Sequence, residues 1–183
     1  YFSGCIEYAP NMPWEGKIPL AAMVAKETFR PCKITNDANA AALGEQLFGS
    51  AKWLKDFVVV TLGTGLGSGF VVNDEVLYGH DGFAGELGHM IVEKGGRMCG
   101  CGRLGCLETY VSATGIVNTA IEMLEFEGER SVLKSIPVDK LESRNISEAA
   151  AKGDLLALRI MDVTADKLGF ALANMVTVTS PSH

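Results

Sequence analysis

Between Glu86 and Glu108 the sequence runs Glu-Leu-Gly-His-Met and then, after a short gap, Cys-Gly-Cys-Gly-Arg-Leu-Gly-Cys-Leu-Glu. One short segment thus carries four metal-ligand side chains with a carboxylate at either end. His89, Cys99, Cys101 and Cys106 make a set of one imidazole and three thiols, a composition found in tetrahedral structural zinc sites. Gly100, Gly102 and Gly105 let a tight loop wrap an ion, because glycine tolerates the positive φ angles such turns need. The spacing is not that of a standard zinc finger, whose ligands come as two short-spaced pairs. The alternative reading is three buried, inert cysteines and an unrelated histidine. A zinc site that fixes His89 also fixes the backbone carrying Glu86 and Glu108, so the segment ties local chemistry to the fold.

Composition fits an intracellular globular protein. At 183 residues and 48% hydrophobic, the chain can bury a substantial core, as one domain or two small lobes. Of five cysteines, three belong to the metal cluster. Cys5 and Cys32 stand far apart and read as ordinary small apolar residues, which argues against a disulfide framework and for a reducing, cytoplasmic setting. No stretch approaches the roughly 18 uninterrupted apolar residues of a membrane span, and no basic-then-apolar signal segment is present. Net charge is −6 with no basic run, so no nucleic-acid partner is expected. The chain opens at Tyr1 and stops at Ser180-Pro181-Ser182-His183, and reads as a fragment missing elements at both ends.

Periodicity gives a mixed α/β pattern. Residues 1–17 are loop-like, with Pro10, Asn11, Pro13, Trp14 and Gly16. Pro19 suits a helix start ahead of Leu20, Met23 and Val24, ending near Arg30-Pro31. Cys32 to Thr35 is a short strand candidate, and Asp37 opens a small-residue helix closed by Gly49. Phe57 to Thr61 and Gly69 to Asn73 are strand-like, and Asn73-Asp74-Glu75 turns into Val76-Leu77-Tyr78. Ser112 to Leu124 is an amphipathic helix. The acidic run Glu122 to Glu129 and the aperiodic stretch to Arg144 read as a solvated excursion with some helix. Ser147 caps a short helix; Asp154 caps a longer one that reaches about Val178 and buries Leu155, Leu158, Met161, Leu168, Leu172, Met175 and Val176. A boundary is expected near Phe48 to Lys55.

Three constellations carry chemistry. Thr61-Leu-Gly-Thr-Gly-Leu-Gly-Ser-Gly69 lies between the two strands, and its glycines at 63, 65, 67 and 69 expose backbone N–H groups suited to phosphate oxygens. Thr64 and Ser68 offer hydroxyl donors. It is neither a Walker A loop nor a dinucleotide fingerprint, so any phosphate it holds sits on a β-hairpin; a plain glycine-rich hairpin is the alternative. In Thr35-Asn36-Asp37-Ala38-Asn39, Asp37 sits at a strand-to-helix junction, where helix capping and catalysis are equally good readings from position alone. The amides of Asn36 and Asn39 beside it suit a hydroxyl-rich ligand. Finally, Glu86 and Glu108 flank the metal loop. Carboxylates accept hydrogen bonds from sugar hydroxyls in fixed directions, and a His89 that gives one ring nitrogen to a metal presents the other to a ligand. Partners of the metal ligands or solvated surface are the alternatives for the two carboxylates.

These residues resemble the ROK family of bacterial sugar kinases and sugar-responsive repressors. The resemblance rests on Asn36-Asp37-Ala38-Asn39 through Glu45, Gly63-Thr64-Gly65-Leu66-Gly67, Gly85-Glu86-Leu87-Gly88-His89, and Cys99 through Glu108. Weaker similarity runs through Ala9 to Trp14 and the Asp154 helix start. It implies an α/β actin-like ATPase (ribonuclease H-like) fold, with two lobes around a cleft where sugar and ATP meet. Residues 1–50 would then be part of an incomplete small lobe, and 51–183 a large lobe with the phosphate loop, zinc loop and helices. It further implies Asp37 as catalytic base and a sugar held by Asn36, Asp37, Glu86, His89 and Glu108. ATP phosphates would meet Gly63, Thr64, Gly65 and Gly67, with structural zinc on His89, Cys99, Cys101 and Cys106. Mg-ATP is the implied phosphoryl donor, and a homodimer the implied assembly. Glucose, phosphorylated at the 6-OH, is the favoured substrate, since the full Glu86, His89 and Glu108 set suits a hexose with free vicinal hydroxyls. An N-acetylated amino sugar or fructose is the alternative within the class. Two departures stand out: the family's N-terminal Asp-x-Gly-Gly-Thr phosphate motif and its later Gly-Gly-Gly type adenosine motif are both missing from this sequence. The rival class is the sugar-sensing effector domain of a ROK repressor.

Overall fold

The computed structural model describes residues 3–7, 14, 16–126 and 130–183. Most of the expected N-terminal loop, including Pro10, Asn11 and Pro13, and the end of the acidic run at 127–129 lie outside the described residues. The architecture is α/β. A three-stranded antiparallel sheet, ordered β1 (Phe57–Leu62), β2 (Leu66–Val72) and β3 (Glu75–Val76), is flanked by helices. The β-branched run Val58-Val59-Val60 favours a pleated, half-buried surface and forms β1. Leu62 pairs with Leu66, so residues 63–65 make the turn and the glycine-rich segment does lie on a β-hairpin. The second hairpin closes through Asn73 and Asp74, both at positive φ (51° and 68°), the backbone that two-residue hairpin turns require.

Side chains on β2 alternate between two faces, and each face receives a different element. On one face, α2 (Asp37–Phe48) crosses over Gly67 and Gly69. The approach is so close that a Cβ on Gly69 would lie 2.6 Å from the Ala38 carbonyl oxygen and 2.7 Å from the Ala42 Cβ. The small residues of α2 and these strand glycines are therefore one packing device. Ala42, Phe57 and Val71 complete a small core on that side. On the opposite face Leu66 and Phe70 pack with Leu87, Leu107, Tyr110 and Val111, and with Ala171 and Met175 of α6 (Leu155–Thr179). Each fully buried side chain of this size contributes about 1.5–3 kcal/mol.

A second core, remote from the sheet, joins α4 (Ala113–Phe126), α5 (Ser143–Ala151) and α6. Here four sequence expectations are corrected. The stretch before Arg144 is not a solvated excursion: two 3-10 turns, Val132–Ser135 and Val138–Lys140, insert Leu133 and Leu141 among the helices. Helix α5 is capped by Glu142, whose side chain and that of Asn145 satisfy each other's backbone N–H groups, while Ser147 lies inside the helix. Asp154 does cap α6, accepting from the Ala157 N–H at 3.0 Å. The stripe expected on α6 is corrected in part: Met175 is buried and Met161, Leu168 and Leu172 pack partly buried against the cores, but the rest of the buried line runs through Leu156, Ala157, Ile160, Thr164 and Ala171, whereas Leu155, Leu158 and Val176 are exposed. Apolar residues also stand off the packed face, at Leu155, Leu158 and Val176, so periodicity selected the face only in part. Cys32–Thr35 has no ladder partner among the described residues and forms an irregular connection, because a strand exists only where a neighbour pairs with it. The helix expected after Pro19 is α1 (Leu20–Thr28). A short α3 (Glu108–Val111) precedes α4.

Candidate functional site

Position 36, not 37, is the helix cap. The Asn36 side chain accepts from the Asn39 N–H at 2.7 Å, with extended backbone at Asn36 (φ −71°, ψ 165°). Asp37 is the first helical residue; its Oδ1 accepts from the Ala38 N–H at 2.9 Å and the residue is exposed. The capping role that competed with chemistry at Asp37 therefore belongs mainly to its neighbour. From the same corner the Asn36 amide donates to Glu86 Oε1 at 3.3 Å. Two residues 50 positions apart thus meet beside Asp37.

Glu86 is carried on the other face of β2. Gly85 has φ +83°, and a Cβ there would meet the Phe70 ring at 2.7 Å. Glu86 itself has φ −76° and ψ 66°, with the Leu87 N–H reaching the Gly85 carbonyl at 2.8 Å, an inverse γ-turn. The buried Ser68 hydroxyl donates to the Gly85 carbonyl and accepts from the Leu87 N–H at 2.9 Å. Ser68, expected as a phosphate donor, is occupied here instead. The His89 N–H bonds the Glu86 carbonyl at 3.1 Å, which joins the acidic residue to the metal cluster.

His89, Cys99, Cys101 and Cys106 converge, with ligand atoms all within 4.8 Å of one another. Cys99 Sγ lies 3.6 Å from His89 Nδ1, and the Cys101 and Cys106 sulfurs are 3.6 Å apart. Tetrahedral zinc with ordinary bond lengths would set these edges at roughly 3.6 and 3.8 Å, so the donor set and its dimensions fit that ion. Arg103 beside Cys101 holds its thiol down to about 6, toward the thiolate that binds metals. Burial pushes Cys99 and Cys106 up, and a bound cation would be needed to ionise them. Gly102 and Gly105 have positive φ (83° and 80°).

The loop is held from behind by Arg97, whose guanidinium uses all five donors. Nε and Nη2 reach Glu122 at 2.8 and 2.7 Å; Nη1 reaches the Thr109 and Gly115 carbonyls at 2.7 and 3.1 Å; Nη2 also reaches Thr119 at 2.9 Å. The Tyr110 ring lies under it at 4.5 Å, and the Tyr110 hydroxyl accepts from the Arg97 N–H. Nothing in the sequence singles out Arg97: its spacing from Glu122, Thr109 and Gly115 carries no motif.

Glu108 faces both the cluster and the glycine turn. Its Oε1 accepts from Cys99 Sγ at 3.0 Å and lies 3.6 Å from His89 Nδ1, while a Cβ on Gly65 would be 2.9 Å from its Oε2. The turn is tied to α4: the Ala113 N–H donates to the Gly63 carbonyl at 2.9 Å and the Thr114 hydroxyl to the Thr64 carbonyl at 3.2 Å. A cavity of about 520 Å³ opens here, lined by Thr64, Gly65, His89, Cys101, Glu108 and Asn118, among others. Asn36, Asp37 and Glu86 are not among its lining residues. Gly67, grouped with the turn in sequence, lies within β2 under Ala38. The expected site residues therefore form two neighbouring groups, Asn36–Asp37–Glu86 and Thr64–Gly65–His89–Glu108, joined through residues 86–89. Among the described residues all five cysteines are free, and no helix is long and apolar enough to cross a membrane.

Comparison with known proteins gives this arrangement its relatives. The glucokinase of Halalkalibacterium halodurans is 40% identical over 183 residues, covering 98% of this chain and 54% of that protein. The crystal structure of a ROK family glucokinase from Streptomyces griseus in complex with glucose and AMPPNP superposes with a TM-score of 0.81 at 37% identity, covering 96% of this chain and 57% of that one. A ROK family transcriptional regulator, a homolog of the E. coli MLC protein, superposes at 0.86 with 32% identity, covering 98% and 44%. The chain thus spans about half the length of the relatives it matches. Its α/β fold is that of the ROK sugar-kinase structures, an actin-like ATPase fold. Because the ROK family profile also matches residues 3–183, which hold the cysteine–histidine cluster, the glycine hairpin and the Asn-Asp corner, the chain belongs to the ROK family.

Proposed function

We propose that the full-length protein containing this chain is an ATP-dependent hexose kinase, with glucose phosphorylated at the 6-OH as the favoured reaction. The observation that carries the reading is Asp37: an exposed carboxylate whose capping duty is taken by Asn36, beside a Glu86 that Asn36 itself contacts. In this reading Asn36, Asp37, Glu86, His89 and Glu108 hold the sugar hydroxyls. Asp37 accepts the proton of the attacking hydroxyl as its oxygen moves onto the γ-phosphorus. Of the expected phosphate residues, Thr64 and Gly65 at the turn face the ATP phosphates, because the Gly63 N–H is taken by the Gly65 carbonyl at 3.0 Å and Gly67 lies within β2 under Ala38; magnesium, when bound with ATP, neutralises phosphate charge. Zinc on His89, Cys99, Cys101 and Cys106 is structural, since four protein ligands leave no open coordination position. The assembly is a homodimer, and α2 belongs with the β1–β2 sheet it packs on rather than with a lobe ending at residue 50. Support comes from relatives named glucokinase at up to 40% identity, and from a related structure described with glucose and AMPPNP.

Base assistance of this kind is worth about 10²–10⁴-fold. Asp37→Asn in the full-length protein is therefore expected to lower kcat by that factor while glucose affinity stays within about threefold. Calorimetric titration beside a coupled ADP assay measures both. Loss of binding together with turnover would return Asp37 to a structural role. A second reading, a sugar-sensing effector domain, is favoured by the likeness to a ROK transcriptional regulator at a TM-score of 0.86. Glucose binding with no turnover on any of glucose, fructose, mannose, N-acetylglucosamine or N-acetylmannosamine would select it.

A further inference from the structure

We propose that Ser68 is a positioning residue for the sugar, acting through Glu86 rather than on phosphate; this rests on the reading of Glu86 as a sugar ligand. Ser68 stands between Gly67 and Gly69 in β2, but its side chain points to the opposite face, toward Gly85–Leu87. It is only 3% exposed. Its hydroxyl engages the peptide groups on both sides of Glu86, giving its proton to the Gly85 carbonyl and taking the Leu87 N–H. That double contact clamps the inverse γ-turn at Glu86 (φ −76°, ψ 66°). Left to itself, such a turn has one bent hydrogen bond, from Leu87 N–H to the Gly85 carbonyl, and poor angles make bent bonds weak.

The clamp matters because nothing else fixes the Glu86 side chain firmly. Its one hydrogen bond among the described contacts is the 3.3 Å bond from Asn36, between exposed groups. The backbone sets the point from which that side chain reaches Asn36, and the backbone is held by Ser68. A misplacement of about 1 Å in a binding carboxylate can cost on the order of 100-fold in a reaction. Losing only the clamp should cost less, since Phe70 still packs on Gly85 and Gly88 still abuts the Leu66 carbonyl.

The test uses the full-length protein and four variants: Ser68→Ala, Ser68→Cys, Ser68→Thr and Glu86→Gln. Glucose and AMP-PNP affinities are measured separately by titration calorimetry, zinc by metal analysis, and Leu87 amide protection by hydrogen exchange. Ser68→Ala is expected to weaken glucose about tenfold and to speed Leu87 exchange, with AMP-PNP affinity and zinc content unchanged. Ser68→Cys, close in size with a weaker donor, should fall between. Ser68→Thr, which keeps the hydroxyl and suits a strand, should recover glucose affinity to within about threefold. Glucose affinity unchanged in both Ser68→Ala and Ser68→Cys, while Glu86→Gln weakens it, would overturn the inference. So would a joint loss of glucose, nucleotide and zinc, the mark of a merely structural serine, or a weakening of AMP-PNP alone, the mark of a phosphate ligand. If Glu86→Gln itself leaves glucose binding intact, the sugar reading of Glu86 fails instead, and the inference with it.

Discussion

The cysteine–histidine loop and the Asn36–Asp37 corner bring candidate functional groups to neighbouring places by different physical means. The loop, with little regular structure, is cross-linked through side chains: four ligand atoms converge within 4.8 Å, and Arg97 ties the loop to Thr109, Gly115, Thr119 and Glu122. The corner has a single described side-chain cross-link, the 3.3 Å bond from Asn36 to Glu86. It is aimed by backbone approach, with α2 lying on strand glycines too closely for a Cβ, and by the Asn36 cap. Chemistry that removes an ion or a charge should therefore damage the loop and spare the corner. Added volume on the α2 face of β2 should do the reverse.

Stripping the proposed zinc is the largest blow this comparison allows. A ligand present at a thousand times its Kd stabilises the folded state by about 4 kcal/mol, and structural zinc contributes at least on that scale. For a chain of this length about 2–4 °C of Tm follows each kcal/mol, so chelation should lower Tm by roughly 10 °C. Calorimetric scans with and without a strong chelator, followed by readdition of zinc, measure it. A Tm that ignores the chelator would remove zinc from the account.

Gly69→Val strikes the corner instead. Overpacking typically costs about 1–3 kcal/mol, and the upper end is expected because the new Cβ would press on backbone at Ala38, which has no rotamer to change. Displacing α2 carries Asp37 with it, so kcat should fall by about 100-fold while zinc content stays at one per chain. Equal loss of zinc and of turnover would show that the two halves are not mechanically separate.

How far these halves could be read from the sequence follows from the same difference. The convergence of His89, Cys99, Cys101 and Cys106 was legible because they crowd into one segment, and few other roles need three cysteines and a histidine so spaced. The β1–β2 hairpin was legible through its β-branched run. Which glycine served which purpose was not: the run from Gly63 to Gly69 looks uniform, yet the turn holds Gly63 and Gly65 while Gly67 and Gly69 make room for α2. Period-two alternation separates these roles, and it also turns Ser68 toward Glu86. Leu133 and Leu141 escaped notice because 3-10 turns leave no helical stripe to recognise. The Asn36 cap was hidden by its neighbour, since Asn and Asp are nearly equal as caps and only the extended backbone at Asn36 decides between them.

Arg97 offers the finest test of the loop, and its effect should be the smallest of the three. Its ion pair with Glu122 counts for little, because the Glu122 side chain is 55% exposed and exposed pairs are worth about 0–1 kcal/mol. What Arg97→Met leaves behind is more serious: the Thr109 and Gly115 carbonyls lose charged donors, worth about 1.5–3 kcal/mol each when hydrogen-bonded to charge. Methionine keeps apolar contact with the Tyr110 ring, offsetting part of that loss. A net destabilisation of about 2 kcal/mol is expected, read as a lower urea midpoint with unchanged slope. Arg97 reaches no ligand atom, so the metal should still bind, but zinc release to a chelator should accelerate as the loop opens more often. Unchanged release at reduced stability would mean that Arg97 staples α3 to α4 without steadying the metal loop.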